Sequence, residues 1–337
     1  MQDLSLYDYE LPEDRIAQTP LEPRDAAKLL WLSRKTGEIR HKRFSDLPDL
    51  LEEGDLLVLN DTRVTALRLI GRRETGGGVE LLLLRALEGA KYVALCKPAK
   101  RLRAGTEIEL SETLTATVLD DGGQGLKTLQ LRCSNNLEEE LSRVGRVPLP
   151  PYIHSSLPDA ERYQTVFARS PGSSAAPTAA LHFTSQLLDR LRCKGVHTAF
   201  VSLDIGLDTF RPIQSEQVED HLMHGELCRL PEETAAAIHG SRGRIVAVGT
   251  TAVRTLESFA VGPKQVDSGE IVTRLFIRPP YDFQIVDGMI TNFHLPRTSM
   301  LLMVAAFASR ERLMRAYAEA LCTDYRFLSF GDAMLAL

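Results

Sequence analysis

Hydrophobic and polar positions follow two different rhythms along the chain. From about Leu67 to Arg132, short β-rich runs (67–70, 79–85, 92–97, 107–110, 114–119 and 126–131) are separated by glycine turns at Gly76-Gly77-Gly78, Gly89, Gly105 and Gly122-Gly123-Gln124-Gly125. Short strands punctuated this regularly predict a small antiparallel barrel or sandwich, and closure into a barrel hides strand edges. The exit from this segment, Val147-Pro148-Leu149-Pro150-Pro151-Tyr152, cannot form helix or central strand and reads as a stiff linker.

Elsewhere strand and helix patterns alternate. Thr184 can cap a helix through Leu191 that stops at Gly195, and the β-branched run 196–203 follows. Pro231 opens a second helix that Gly240 closes. The apolar strand 244–248 turns at Gly249-Thr250-Thr251 into a helix over 252–259, and residues 300–308 and 312–321 are helical with a break near Ser309. The simplest arrangement is an α/β main domain built from both chain ends (1–64 and 152–337), interrupted by a small antiparallel β-barrel domain (65–151). Glu138-Glu139-Glu140 reads as a solvated helix face.

Composition narrows the class. At 337 residues the chain is long for one core, and 44% hydrophobic with 25% charged residues is ordinary globular usage. The longest apolar run, 300–308, is about half of what a bilayer span needs. Residues 1–10 are acidic and carry no secretory signal pattern. The five cysteines, at 96, 133, 193, 228 and 322, contain no Cys-x-x-Cys pair, so neither a disulfide framework nor a metal site is expected and the cytoplasm is the simplest compartment. A net charge of −5 argues against general coating of nucleic acid but leaves room for a local basic patch.

Candidate chemistry collects in a few segments. Residues 172–184 are small and nearly uncharged, then present His182 just before a helix N-terminus, where amides are unpaired and an ordinary imidazole titrates near working pH. The same stretch also reads as a surface loop ending in a capping turn. Asn292 and His294 arrive at the end of a strand in the turn Asn292-Phe293-His294-Leu295-Pro296, and that turn can alternatively cap its own backbone. Gly249-Thr250-Thr251 lies at a strand-to-helix turn suited to an anion, with Arg254 on the helix beyond as a carboxylate clamp or as a surface partner of Glu257 or Ser258. No dinucleotide or nucleoside-triphosphate glycine motif is present. His221 and His224, three apart with the Glu226 carboxylate beside them, come close to metal-ligand spacing but lack the His-Glu-x-x-His pattern, which favours substrate contact or structural bonding. Asn60-Asp61-Thr62-Arg63 closes an apolar strand at a position that suits either a site or an Asx turn. Lys97, Lys100, Arg101 and Arg103 follow a barrel strand and read as phosphate contacts or as a solvated face.

Taken together, these segments resemble the S-adenosylmethionine:tRNA ribosyltransferase-isomerase family of queuosine synthesis. The resemblance runs through Tyr9-Glu10-Leu11-Pro12, Asn60-Asp61-Thr62-Arg63-Val64, Lys97-Pro98-Ala99-Lys100, Glu161-Arg162-Tyr163-Gln164, Ala176-Pro177-Thr178 with Leu181-His182-Phe183-Thr184, Gly249-Thr250-Thr251 with Arg254, Ile290 to Pro296, and Gly331-Asp332-Ala333-Met334. It departs from the family pattern at Asp204 and Asp208, where a histidine and a glycine are usual, and at Pro280. These departures raise the alternative of a relative that binds RNA with altered or no chemistry.

The resemblance implies an α/β domain with an inserted barrel. It implies S-adenosylmethionine as co-substrate with no resident cofactor. It also implies transfer of the ribosyl group to 7-aminomethyl-7-deazaguanine at the wobble position of a tRNA with a GUN anticodon, giving epoxyqueuosine, adenine and methionine. In that chemistry a base must take a C5′ proton made acidic by the sulfonium, with His182 the first candidate and His294 the second. Departing adenine needs a proton, which a carboxyl such as Asp332 or Glu226 would supply. Arg254 or Arg63 would hold the methionine carboxylate near Thr250 and Thr251, while Asn292 and Thr178 would orient ribose or deazaguanine. Lys97, Lys100 and Arg101 would contact RNA. No membrane partner is expected, and a monomer suffices.

Overall fold

Leu56-Leu57-Val58-Leu59 is uninterruptedly apolar because it lies at the centre of a sheet covered on both faces, and all five residues of the strand Leu56–Asn60 are buried. The computed structural model describes residues 3–123, 125–206, 213, 217–221, 223 and 225–337. Two compact units emerge: residues 1–63, 150–170 and 176–337, and residues 64–149 with 171–175.

The larger unit holds a nine-stranded sheet. In order across it lie Gly269–Thr273, Glu226–Leu230, His197–Leu203, Leu56–Asn60, Ile245–Val248, Gly288–Asn292, Ala333–Ala336, Lys28–Leu32 and Ile39–Arg43. His197–Leu203, Leu56–Asn60, Ile245–Val248 and Gly288–Asn292 run parallel, with Val58 opposite both Ala199 and Ala247. Ala333–Ala336 is antiparallel to Gly288–Asn292 and parallel to Lys28–Leu32. The strands at both edges pair antiparallel. The four parallel strands therefore deliver Asn60, Leu203, Val248 and Asn292 to one end of the sheet, where ligands collect in α/β folds.

Helices begin and end where local chemistry demands. Thr184 accepts the Leu187 amide at 3.1 Å to start Ser185–Cys193, and Gly195 exits with φ near +85°. Glu232–Gly240 follows Pro231, and Thr250–Ser258 follows Gly249, whose φ of +88° suits glycine. Ser309, at φ +66°, separates Ser299–Ala308 from Arg310–Cys322 and caps the second of these. The apolar run in Ser299–Ala308 is explained by burial of Leu301 to Ala305, Phe307 and Ala308. Among the described residues, no helix is long and apolar enough to cross a membrane.

The smaller unit is a closed barrel, in the order Leu126–Cys133, Lys91–Lys97, Gly78–Leu87, Leu67–Arg73, Glu107–Glu109 and Leu114–Gly123, with neighbouring strands antiparallel throughout. Alternate residues, among them Leu69, Leu81, Leu83, Ala94, Cys96, Ala116, Val118, Leu129 and Leu131, fill its interior. The helix Leu137–Val144, capped by Asn136, adds Leu141 to that core. The strand starting at Leu114 continues four residues beyond the expected end at 119. Asp and Gly are poor strand formers, yet Asp121 lies opposite Lys127 and its carboxylate takes the buried ammonium at 2.6 Å. Glu140 is not solvated as its acidic run suggested: it is 7% exposed and accepts Arg143 at 2.6 and 3.0 Å and Ser111 at 2.5 Å.

Candidate active site

The turn after Gly288–Asn292 is set by aromatic packing. Phe293 is fully buried against Tyr317 and Phe327, with ring centroids 5.2 and 4.8 Å away. With Phe293 anchored inward, Asn292 and His294 are held at the mouth of a cleft. The Tyr317 hydroxyl accepts the His294 amide at 2.9 Å, and the Tyr9 hydroxyl donates to the His294 carbonyl. Tyrosine hydroxyls thus hold both the amide and the carbonyl of this one residue.

The cleft lies in the larger unit and is lined by Tyr152, Ala176 to Ala179, Ile205, Gly249 to Thr251, Thr291 to Leu295, Met300, Leu328 and Ser329. Thr178 comes from the short turn Thr178–His182, and its hydroxyl donates to Asn292 Oδ1 at 3.0 Å. Asn292 Nδ2 faces His182 Nε2 at 3.3 Å. Thr291 Oγ1 and His294 Nε2 are 2.7 Å apart, and His294 Nδ1 makes no hydrogen bond among the described residues.

Among the described residues no side chain caps Thr250–Ser258, which leaves its first amides as donors at the cleft. Asn60 braces this corner. Its Nδ2 donates to the Leu203 carbonyl at 3.2 Å and Thr251 Oγ1 at 3.3 Å, while its Oδ1 accepts the amides of Thr62 and Leu203. The Asx turn and the site-bracing role are therefore the same set of bonds.

Both histidines are neutral at ordinary pH. Burial is the main force that pulls His182 from 6.5 down to about 4, aided by the Arg326 charge, and burial alone takes His294 to about 3. The two are not equivalent, however. His294 lines the cleft, whereas His182 is 5% exposed, packs against Phe44 with tilted rings 5.0 Å apart and stands behind Asn292. Neither spacing nor local pattern separated them.

Of the candidates drawn from the sequence, Thr178, Thr250, Thr251, Asn292 and His294 line the cleft; the others do not. Arg254 and Glu226 are buried in an ion pair at 2.5 Å, with Glu226 also accepting the Gly206 amide and Arg254 donating to the Thr273 carbonyl. Arg254 is thus committed to Glu226, and the expected surface pairing with Glu257 is replaced. Glu257 instead accepts the amides of Gln284, Ile285 and Val286. Asp332 receives the amides of Lys28 and Arg326, each at 2.8 Å, and burial raises its pKa. Arg63 turns to Glu161.

Asp204, also raised by burial, accepts the Thr62 hydroxyl at 3.4 Å. His221 packs on Phe276, while His224 and Asp208 lie outside the described residues. Among the described residues no group of three or more His, Cys, Asp or Glu is arranged to hold a metal. Lys97, Lys100 and Arg101 are exposed on the barrel. Cleft residues that the sequence pattern did not single out include Tyr152, whose hydroxyl meets Ser329 Oγ at 2.7 Å, Ser329 itself and Thr291. Tyr152 was hidden in a proline-rich linker, and the only signal for Thr291 was a polar residue inside an apolar strand.

Fold and cleft together define an α/β protein with a cleft at the carboxyl ends of its parallel strands and a closed antiparallel barrel inserted in the chain. The chain belongs to the family described as queuosine biosynthesis protein, whose model matches residues 4–336. It is similar to the S-adenosylmethionine:tRNA ribosyltransferase-isomerase of Staphylococcus saprophyticus, 46% identical over 340 residues, 99% of this chain and 100% of that one. The enzyme of the same name from Staphylococcus haemolyticus is 46% identical over 336 residues, 98% of each chain. A crystal structure of S-adenosylmethionine tRNA ribosyltransferase from Thermotoga maritima is similar at 39% identity with a TM-score of 0.57, covering 98% of this chain and 100% of that one.

Proposed function

We propose that this chain is an S-adenosylmethionine:tRNA ribosyltransferase-isomerase of queuosine synthesis that works at the cleft between Thr178, Thr250 and His294. S-adenosylmethionine is its co-substrate. The observation that carries the assignment of the site is convergence: chain segments around Thr178, Thr250, Asn292 and His294 meet in one cleft, and full-length relatives bear that activity in their names. The methionine carboxylate rests on the amides of Thr250 and Thr251, a role Arg254 cannot take while paired with Glu226.

His294 is the base that takes the C5′ proton through Nδ1, because it lines the cleft and His182 does not. For Nδ1 to hold the free lone pair, Nε2–H donates to Thr291. Burial disfavours the imidazolium, so the proton that His294 takes is passed on to departing adenine. Adenine leaves as its bond to the ribose breaks; the ribosyl group bonds to the aminomethyl nitrogen of 7-aminomethyl-7-deazaguanine, which gives up one proton to solvent, and closes to the epoxide as the carbon–sulfur bond at C5′ breaks and methionine departs.

The RNA is a tRNA with a GUN anticodon carrying that base at the wobble position, where a single-stranded loop makes splaying the base inexpensive. Lys97, Lys100 and Arg101 contact phosphates. Residues 1–64 and 152–337 act as the discontinuous catalytic domain and 65–151 as the inserted one, in a cytoplasmic monomer.

The test is adenine release from S-adenosylmethionine with no RNA, with free 7-aminomethyl-7-deazaguanine, and with an anticodon stem-loop bearing it. Release confined to the stem-loop is expected. Release with the free base at equal efficiency would sink the RNA assignment. His294→Gln should slow single-turnover transfer by about 10²–10⁴-fold with S-adenosylmethionine binding retained.

A further inference from the structure

We propose that His182 is a positioning residue that fixes which end of the Asn292 carboxamide faces the ligand, and so makes the Thr178–Asn292 wall of the cleft a selector for a neighbouring pair of hydroxyl donors such as a ribose diol. The proposal rests on the cleft being the S-adenosylmethionine site and deepens it.

The two ends of a carboxamide have nearly the same shape and opposite hydrogen-bonding character, so its neighbours decide its orientation. Asn292 has two such neighbours, one at each end. The Thr178 hydroxyl lies 3.0 Å from Oδ1, and His182 Nε2 lies 3.3 Å from Nδ2. The backbone carbonyl of Arg24 also lies beside the His182 ring and favours a proton on the ring nitrogen that faces it. A neutral imidazole has one N–H; with Nε2 facing the Asn292 carboxamide and the Arg24 carbonyl favouring the proton on the other nitrogen, Nε2 is an acceptor and only the Nδ2 end of Asn292 satisfies it. Oδ1 is thereby directed to Thr178, whose hydroxyl hydrogen is used on Oδ1. What the wall then offers a ligand is the remaining lone pairs of Asn292 Oδ1 and Thr178 Oγ1, two adjacent acceptors.

The groups around His182 keep it in this form. Its faces and edges meet Phe44, Arg24 and the Arg326 charge, with no carboxylate among the groups that shift it. Burial among an aromatic ring and cations disfavours a protonated ring, whose Nε2–H would repel the Asn292 amide hydrogens and reverse the carboxamide.

The experiment compares dissociation constants for S-adenosylmethionine and its 3′-deoxy analogue, by calorimetry, in wild type, His182→Leu and His182→Gln. Leu cannot accept from Asn292; the Gln carbonyl can. Wild type should favour the hydroxylated ligand by about tenfold or more. That preference should collapse toward unity in His182→Leu and return in His182→Gln. Preservation of the full preference in His182→Leu, or an equal loss of affinity for both ligands, would overturn the positioning role alone. If Asn292→Ala leaves binding of both ligands unchanged, the assignment of the cleft to S-adenosylmethionine fails, and the positioning role with it.

Discussion

Glu226, on a strand near the sheet edge, and Arg254, on the helix after Gly249, form an ion pair at 2.5 Å with both side chains almost completely buried. Removing one partner strands the other charge in a place that water does not reach, a change that costs about 3–5 kcal/mol. Arg254→Met should therefore lower the urea midpoint strongly, and Glu226→Met with Arg254→Met together should recover much of the loss. If Arg254 instead gripped the methionine carboxylate, Arg254→Met would weaken S-adenosylmethionine binding while leaving the urea midpoint nearly unchanged.

The buried histidines set the acid limb of stability. The folded pKa of His182, about 4, lies below its unfolded value near 6.5, so between these pH values the unfolded chain binds more protons. Stability from this group is complete above pH 6.5 and is lost as pH falls toward 4, by about 3 kcal/mol in all. His294 acts in the same direction over a window reaching about pH 3. Asp332, raised by burial, has the opposite slope, and its window opens above the ordinary carboxylate value of 3.8. Urea midpoints measured from pH 7 to 4 should fall more steeply for wild type than for His182→Gln, which cannot titrate. Parallel curves would show that His182 does not control this limb.

Lys97, Lys100 and Arg101 are exposed on the barrel and join no ion pair among the described residues. Their replacement by Ala should leave the thermal midpoint unchanged. If they neutralise phosphates, tRNA affinity should weaken, and the slope of log K against log salt should shrink by roughly 0.7–0.9 for each cation removed. An unchanged slope would place the RNA surface elsewhere.

Much of the fold was legible because short-range physics specifies it. Thr184, Pro231, Gly195 and Ser309 act within a turn of their own positions, and each marks a helix end where the pattern placed it. The barrel strands were equally readable from period-two burial between glycine turns. The extension of the strand from Leu114 past Asp120 was not, because the Lys127–Asp121 pair that supports it comes from the neighbouring strand.

The sequence by itself determined the alternation of elements, the barrel insertion, the family, and the two segments around His182 and Asn292 that meet at the cleft. Tertiary structure alone decided which of these groups face the cleft. His182 and His294 both end small turns beside helices, yet Asn292 stands between His182 and the cleft while Phe293, packed on Tyr317, turns His294 into it. Arg254 looked free for a carboxylate because its partner Glu226 lies 28 positions away in the chain. Side-chain direction and charge pairing are set by interactions between distant segments, and a local pattern carries no record of them.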